Sequence, residues 1–292
     1  MYELVQVGAR TFYINCPAKI GIYLTNDRDV CLIDSGGDKD AGKKVRKILD
    51  ERGWVLKAIV NTHSHADHIG GNRYLQQQYG CRAFAPGIEA AFTNYPILES
   101  SFLYGGYPCA DLRHKFLLSQ ESDAADISDK DFPAELQVIS LKGHSFDMIG
   151  VRTPDNAVFL ADCVSSRVTL EKYRIPFIYD VRAYLETLDA VEKLEGAVFI
   201  PAHAEVTDDV RELVRFNREN VFETAGMIEK LLETPMCFEA LLKKLFDVYE
   251  LTMNFEQYVL VGSTVRSYLA WMKDSGKLRA EFADNQLLWS AG

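Results

Sequence analysis

Apolar and polar residues alternate in short runs over the first part of the chain, a pattern typical of β-strands separated by turns. Four such runs precede residue 34, at 2–7, 11–14, 21–25 and 30–33. Apolar residues then recur at helical spacing at 40–52 and 72–79, and a further strand pattern follows each helix, at 57–60 and 81–85. Strands that alternate with helices predict an α/β fold.

The second half of the chain continues this alternation and then becomes helical. Strand patterns at 136–141, 159–162 and 198–203 precede a long helix pattern at 208–230. Three shorter helix patterns follow at 234–246, 254–260 and 263–273, the last with Ser263 as its N-cap, and a hairpin pattern surrounds residues 284–285. Three helices and a hairpin resemble a winged helix. We therefore expect two domains, at 1–218 and 219–292, the second small, helical and winged-helix-like.

The richest cluster of metal-binding residue types lies between the strand pattern at 57–60 and the helix pattern at 72–79. Three of the six histidines, His63, His65 and His68, fall within six residues of each other together with Asp67. Alternate residues of an extended loop point in the same direction, so His63 and His65 can converge on one cation. Imidazole and carboxylate are good Zn²⁺ ligands, and one site usually takes about three of them. Four candidates this close together favour two metal ions.

Other polar side chains stand at the ends of predicted strands. They are Asp34, His144, Asp162 and His203. Strand ends along one edge of an α/β sheet share a rim, where ligands commonly bind, so we expect these residues to meet the histidines at 63–68. The glycine before His144 and the pair Gly70-Gly71 are expected to allow close backbone approach there.

Composition and charge narrow the function classes. The chain has 292 residues, and its net charge of −10 argues against a general nucleic-acid-binding protein, which needs a basic face. The sequence shows no basic and apolar leader, and no apolar run approaches the roughly twenty residues of a membrane span. The six cysteines are scattered without a CxxC pair. We therefore expect a cytoplasmic protein with reduced cysteines and no membrane span.

Residues 63–68 match every position of the HxHxDH signature, and with this motif the chain resembles the metallo-β-lactamase superfamily. The resemblance covers roughly residues 1–215 and implies an α+β or α/β fold, a four-layer αβ/βα sandwich with the site along one edge. It implies seven ligands for two metal ions: His63, His65 and His144 for the first; Asp67, His68 and His203 for the second; and Asp162 as a bridge between them. Asp34 is implied to support the site without binding a metal ion.

The same resemblance implies hydrolysis. Two Zn²⁺ ions would hold a bridging water that loses its proton near neutral pH, and the resulting hydroxide would attack a carbonyl or phosphoryl group. Asp67 would accept a hydrogen bond from this hydroxide and act as the catalytic residue. Oxygen-reducing relatives that contain iron typically have a carboxylate where this chain has His65, so zinc is favoured, while Fe or Mn in the second site stays open.

The ligand set is similar to that of hydroxyacylglutathione hydrolases, so the first expected substrate is a thioester or ester of a small molecule. Two features depart from those enzymes: the winged-helix-like segment replaces their helical tail, and Ser145-Phe146-Asp147 stands where many relatives have Pro-Gly. A related subgroup with a winged helix includes RNA-cleaving enzymes, so a phosphodiesterase or ribonuclease-like hydrolase is the alternative. A non-catalytic metal-binding sensor that uses its C-terminal segment for partners is a further alternative. Whether the protein forms a homodimer stays open.

Residues 88–134 form an irregular segment rich in aromatic residues. These are Phe92, Tyr95, Phe102, Tyr104 and Tyr107. The segment could be a lid insertion that covers the site and supplies an apolar wall for the substrate. The aromatic residues could equally pack as a satellite core or form a dimer interface. His114 lacks a partner motif and is expected at the surface.

Overall fold

The computed structural model describes residues 2–292 and begins with a mixed β-sheet. Its strands, in their spatial order, are β1 (Glu3–Gln6), β2 (Thr11–Asn15), β3 (Ile20–Leu24), β4 (Asp29–Ile33), β5 (Val55–Val60), β6 (Arg82–Ala85) and β7 (Ala124–Asp126). The first four strands pair antiparallel, whereas β4 to β7 pair parallel. The strands predicted before residue 86 are confirmed within two residues at each end.

A second sheet follows with the spatial order β11-β10-β9-β8. Its strands are β8 (Gln137–Ser140), β9 (Ile149–Arg152), β10 (Ala157–Ser165) and β11 (Val198–His203). The prediction that a strand ends at Asp162 is wrong, because β10 continues to Ser165. The register against β11 shifts at Ala161, which has a positive φ of 48°. Such a bulge re-aims the neighbouring side chain, and Asp162 directly follows it.

The helices include those that pack on the outer faces of the two sheets. In chain order, the helices are α1 (Lys39–Arg52), α2 (Ala66–Ile69), α3 (Asn72–Tyr79), α4 (Gly87–Asn94), α5 (Ile97–Tyr104), α6 (Arg167–Tyr173), α7 (Val181–Val191), α8 (Arg211–Leu231), α9 (Phe238–Val248) and α10 (Phe255–Asp274). Within residues 2–292, each helix is too short or too polar to cross a membrane. The six cysteines carry free thiols, as expected.

Buried clusters define four layers. Side chains of the two sheets, such as Val60 and Phe159, pack against each other in the middle. Val45 of α1 and Leu75 of α3 belong to the cluster on the outer side of the first sheet. Leu188 of α7 and residues of α8 belong to the cluster on the outer side of the second sheet. The order helix, sheet, sheet, helix confirms the predicted four-layer sandwich.

The C-terminal segment differs from the prediction in its helix boundaries, since α9 begins at Phe238 and not at residue 234. The two helices expected at 254–260 and 263–273 form one continuous helix, α10, followed by a hairpin of β12 (Leu278–Ala283) and β13 (Gln286–Ala291). Asn254 caps α10 through its side chain, so the prediction of Ser263 as an N-cap is wrong. Gly262 does not break the helix. A Cβ there would lie 3.5 Å from the ring of Phe238 of α9, which is an ordinary contact distance, so the position does not require glycine.

The apolar core does not separate at residue 218. Helix α8 runs through the predicted boundary. Leu245 of α9 and Leu269 of α10 lie in the same buried cluster as Leu160 of β10. The division into two domains stays a prediction, and we propose that the C-terminal segment unfolds together with the second sheet.

Replacement of Leu245 by alanine tests this proposal. The side chain is fully buried, so Leu245→Ala is expected to lower the free energy of unfolding by about 2–5 kcal/mol. The whole chain should still unfold in one urea transition, seen alike by tryptophan fluorescence and by circular dichroism. Val248→Ala is the matched control, since Val248 is 47% exposed and its loss should cost no more than about 0.5 kcal/mol. Two separate transitions would contradict the proposal.

Candidate metal centre

Seven side chains that the sequence singles out meet at one edge of the sandwich. They form two groups whose potential ligand atoms lie within 4.8 Å of one another, with Asp162 in both: His63, His65, His144 and Asp162; Asp67, His68, Asp162 and His203. The histidines at 63–68 follow β5 and begin α2, whereas Asp162 and His203 belong to β10 and β11. Both sheets therefore contribute to the same cluster.

In the first group, three imidazole nitrogens face one another. His65 Nδ1 lies 3.0 Å from His63 Nε2 and 3.0 Å from His144 Nε2. His144 Nδ1 donates to the carbonyl oxygen of Phe177 at 3.0 Å, so its Nε2 presents a lone pair to the centre. Burial lowers the pKa of His65 and of His144 to about 4 and that of His63 well below its usual value. The group therefore presents neutral nitrogen donors.

The second group contains two carboxylates. His203 Nε2 lies 3.1 Å from Asp67 Oδ2 and 3.2 Å from Asp162 Oδ2. The Asp162 carboxylate raises the pKa of His203 to about 10. Burial opposes ionisation of the two aspartates, but the neighbouring imidazoles hold the pKa of each below its usual range. The group therefore concentrates negative charge that a cation would balance.

Asp34 orients the second group through His68. It is 3% exposed, and its Oδ1 accepts a hydrogen bond from the backbone N–H of Thr62 at 2.8 Å. Its Oδ2 accepts from the Thr62 hydroxyl and from His68 Nδ1, both at 2.8 Å. Because Nδ1 donates to Asp34, Nε2 is the nitrogen of His68 that faces Asp162 and is left to bind a metal ion. A carboxylate behind a ligating imidazole commonly fixes its tautomer in this way.

Two buried atoms between the groups indicate that a metal ion fits. His68 Nε2 and Asp162 Oδ1 lie 3.1 Å apart, yet neither makes a well-formed hydrogen bond to another described residue. Although burial opposes it, Asp162 and its neighbouring carboxylates raise the pKa of His68, so a proton holds this place when no cation is bound. A divalent cation can replace that proton, because metal ions and protons compete for the same ligand atoms. The nitrogen and oxygen donors suit Zn²⁺, Fe or Mn.

Two glutamates of the predicted lid insertion were missed by the sequence analysis. Glu89 is fully buried and contacts the loops on both sides of the first group, and Glu99 Oε1 lies 3.6 Å from His65 Nε2. Burial and the neighbouring Glu89 raise the pKa of Glu99 to about 8. The sequence position of Glu89 was one indication of its role. Glu89 lies shortly after β6, and because β6 pairs parallel with β5, the two strands end at the same rim.

The glycines have partly different roles from those expected. A Cβ at Gly143, which has a φ of 116°, would lie 2.2 Å from the backbone nitrogen of Tyr184, so the predicted close approach before His144 is confirmed. The expectation that Gly70-Gly71 contact the histidine loop is wrong. A Cβ on either would clash with residues 35–38, the loop that follows β4, at 2.3 Å. The pair instead lets this loop pack against the start of α3.

The aromatic residues of the insertion divide into two sets. Phe92 is buried, and the rings of Phe92 and Phe102 contact that of Phe146 at centroid distances of 5.2 and 5.1 Å, as a satellite core would. Tyr95 and Tyr107 are exposed. His114 belongs to neither histidine group and is paired with Glu256 of α10 at 2.9 Å, which links the insertion to the C-terminal segment.

A cleft of about 1170 Å³ opens onto the candidate ligands Asp67, His144 and His203. Phe177, whose ring lies 5.3 Å from that of His65, and Leu260 of α10 contribute apolar wall. Apart from the candidate ligands, its charged lining consists of Lys19, Lys44, Lys115, Lys172, Asp38, Asp40, Glu205 and Glu256. Since the positive and negative groups are equal in number, the cleft lacks the basic excess that a nucleic-acid backbone requires.

Comparison of the sequence with known families gives one match that spans most of the chain. The profile of the metallo-beta-lactamase superfamily matches residues 21–203. A hydroxyacylglutathione hydrolase of Bradyrhizobium sp. is 31% identical over 172 residues, which are 57% of this chain and 57% of that protein. A second, from Rhodopseudomonas palustris, is 33% identical over 119 residues, 40% of this chain and 38% of that protein. The chain thus spans less than two thirds of the curated relatives it matches.

Comparison of the structures extends the likeness in fold to nearly the whole chain. A beta-lactamase domain protein from Burkholderia ambifaria superposes with a TM-score of 0.75 at 15% identity, covering 99% of this chain and 94% of that one. A metallo-beta-lactamase family protein from Thermus thermophilus gives 0.72 at 16% identity, with coverages of 100% and 98%. The C-terminal helices therefore belong to the shared fold.

Replacement of Asp34 by asparagine tests its effect on His68. The asparagine oxygen must face the N–H of Thr62, so its NH₂ group would face His68 Nδ1 and move the imidazole proton to Nε2. We expect the affinity for one of two Zn²⁺ ions to fall about 10- to 100-fold, measured by competition with a chromophoric chelator. Equal zinc affinities in Asp34→Asn and the unmodified chain would show that Asp34 does not set this tautomer.

Proposed function

The chain belongs to the metallo-beta-lactamase superfamily, and on this premise we propose that it is a metal-dependent hydrolase that cleaves a thioester or ester of a small molecule. The observation that carries this proposal is the pair of His/Asp groups that share Asp162. We propose two Zn²⁺ ions as the cofactors: His63, His65 and His144 would hold the first, Asp67, His68 and His203 the second, and Asp162 both. Fe or Mn would also suit the donors of the second position.

The roles of the chain's own residues follow from their surroundings. When bound, a pair of zinc ions supplies Lewis-acid polarisation of the scissile carbonyl and a water of lowered pKa. Asp67 is the residue best placed to accept a hydrogen bond from that water, because its side chain is 49% exposed whereas that of Asp162 is 10% exposed. His203 Nε2 lies 3.1 Å from Asp67 Oδ2, so the two side chains would be held together as ligands of the second metal ion. Phe177 excludes solvent from the opposite side, beside His65 and His144.

The cleft supports a small-molecule substrate with an apolar acyl group. Its volume of about 1170 Å³ exceeds what a short acyl group fills, and Phe177, Leu260 and Val261 form an apolar strip in its wall. The curated relatives include hydroxyacylglutathione hydrolases, whose name states a thioester-type substrate, and this similarity supports a thioester as the first choice. The equal numbers of lysines and carboxylates speak against a polynucleotide.

An activity panel tests this proposal. Zinc-loaded protein would be assayed with acyl thioesters, carboxylic esters and phosphodiesters of comparable size, before and after removal of zinc by a chelator. We expect thioester or ester hydrolysis that disappears with the zinc and returns when zinc is restored. Hydrolysis of phosphodiesters alone would favour the ribonuclease-like alternative. Stable zinc binding without turnover of any substrate would favour the metal-binding sensor.

Replacement of Asp67 by asparagine tests the proposed catalytic residue. The amide is neutral and a weaker acceptor, so kcat is expected to fall about 10²- to 10⁴-fold. KM should change little, because Asp67 is proposed to contact the attacking water and not the substrate. Asp247→Asn on α9 removes one exposed carboxylate away from the cleft and should leave kcat unchanged. An Asp67→Asn enzyme with normal kcat would remove Asp67 from the mechanism.

A further inference from the structure

Glu89 is a buried carboxylate that joins two loops of the candidate metal centre. Its Oε2 accepts from the backbone N–H of Ser64 at 3.0 Å and from the Ser64 hydroxyl at 2.5 Å. Its Oε1 accepts from the Ser145 hydroxyl at 2.7 Å and from the backbone N–H of Asp147 at 3.0 Å. Ser64 lies between His63 and His65, and Ser145 directly follows His144. The three histidines of the first group are thus connected through one side chain.

The chemistry of these four bonds requires a carboxylate. Each oxygen accepts from a backbone N–H, and a backbone N–H cannot reverse its role as a hydroxyl can. The amide of glutamine would therefore place its NH₂ group against the N–H of Ser64 or that of Asp147. A buried donor left facing another donor costs roughly 1–3 kcal/mol. Glutamine keeps the shape of the glutamate side chain and replaces one of its two acceptor oxygens with a donor NH₂ group.

The contacts around Glu89 also account for Ser145-Phe146-Asp147, the residues that depart from the Pro-Gly of many relatives. Besides the bonds to Glu89, the Asp147 carboxylate accepts from the backbone N–H of Ile88 at 3.0 Å. The ring of Phe146 packs against Phe92 of α4 at a centroid distance of 5.2 Å. All three residues of the departure thus contact α4, the first helix of the insertion.

We infer that Glu89 is a positioning residue that sets the first metal position by holding the loop at 63–65 against the loop at 144–147. This inference rests on the proposed function, since it assigns Glu89 to the metal centre proposed there. Glu89 belongs to neither group of candidate ligands and acts through Ser64, Ser145 and Asp147. Helix α4, the first helix of the predicted lid, is accordingly fixed in place, because moving it away from the two loops would break four hydrogen bonds to the buried Glu89 carboxylate.

Zinc content per chain, measured by mass spectrometry of the native protein, tests the inference in three variants. Glu89→Gln should weaken the first position about 10- to 100-fold and lower the content from two zinc ions to about one. His68→Ala should also leave about one, at the first position. The double variant decides which position Glu89 serves, because it should bind essentially none. Two zinc ions in folded Glu89→Gln, or one in the double variant, would overturn the inference.

Asp155→Ala is the control for lost hydrogen bonds, because both bonds to Asp155 go to Oδ2, which an asparagine oxygen could replace. The Asp155 carboxylate also accepts from a backbone N–H, that of Arg10 at 2.8 Å, and from a hydroxyl, that of Thr11 at 2.7 Å, but it belongs to neither candidate group. This variant should lose stability and keep two zinc ions. If it loses zinc as Glu89→Gln does, the effect on the metal is a general consequence of destabilisation and the inference is wrong.

Two further measurements cover the remaining outcomes. If Glu89→Gln does not fold, Ser145→Ala removes one of the four bonds and should weaken only the first zinc position; an unchanged affinity would overturn the inference. If the unmodified chain binds no zinc, the proposed function fails. Amide hydrogen exchange at Ser64 and Asp147 in the metal-free proteins then tests, without any metal ion, whether Glu89 holds the two loops together. Faster exchange in Glu89→Gln than in the unmodified chain supports this role, and equal exchange overturns it.

Discussion

The structure depends on one electrostatic constraint, the close approach of buried donor atoms that repel one another unless a positive charge lies between them. In the first group, His65 Nδ1 lies 3.0 Å from both His63 Nε2 and His144 Nε2. In the second group, a carboxylate oxygen of Asp67 and one of Asp162 lie within 3.2 Å of His203 Nε2. Burial makes this arrangement costly, because lone pairs and negative charges lose the water that would solvate them. A cation bound at each group would turn the same contacts into coordination bonds.

The four-layer sandwich supplies the framework that this constraint needs. The parallel strands of the first sheet deliver Asp34 and the histidine loop at one rim, and the second sheet brings Asp162 and His203 to the same rim. Local distortions complete the geometry: Asp34 and Ala161 adopt positive φ values of 64° and 48°. Such conformations are held only where surrounding contacts outweigh their cost. At Asp34, three hydrogen bonds from Thr62 and His68 provide those contacts.

The sequence predicted the parts of the site that follow from short-range pattern. The spacing of His63, His65 and His68 and the strand periodicity before them identified the rim, and the other candidate ligands were expected there from their places after apolar runs. Contacts that depend on a particular packing were not predictable in this way. The bulge before Asp162 depends on register with β11, and α10 runs unbroken through Gly262 from its cap at Asn254. Glu89 lies in a segment that the sequence predicts to be irregular, and its contacts depend on how α4 docks on the loop after His144.

Two cations that share Asp162 are therefore the central proposal, and anomalous X-ray diffraction at the zinc edge, from crystals of the zinc-loaded protein, is the most direct measurement of them. We expect two anomalous peaks roughly 3.5–4 Å apart, both within coordinating distance of Asp162. The first should touch His63, His65 and His144, and the second should touch Asp67, His68 and His203. A single peak, or peaks that leave Asp162 without a metal ion, would contradict this proposal.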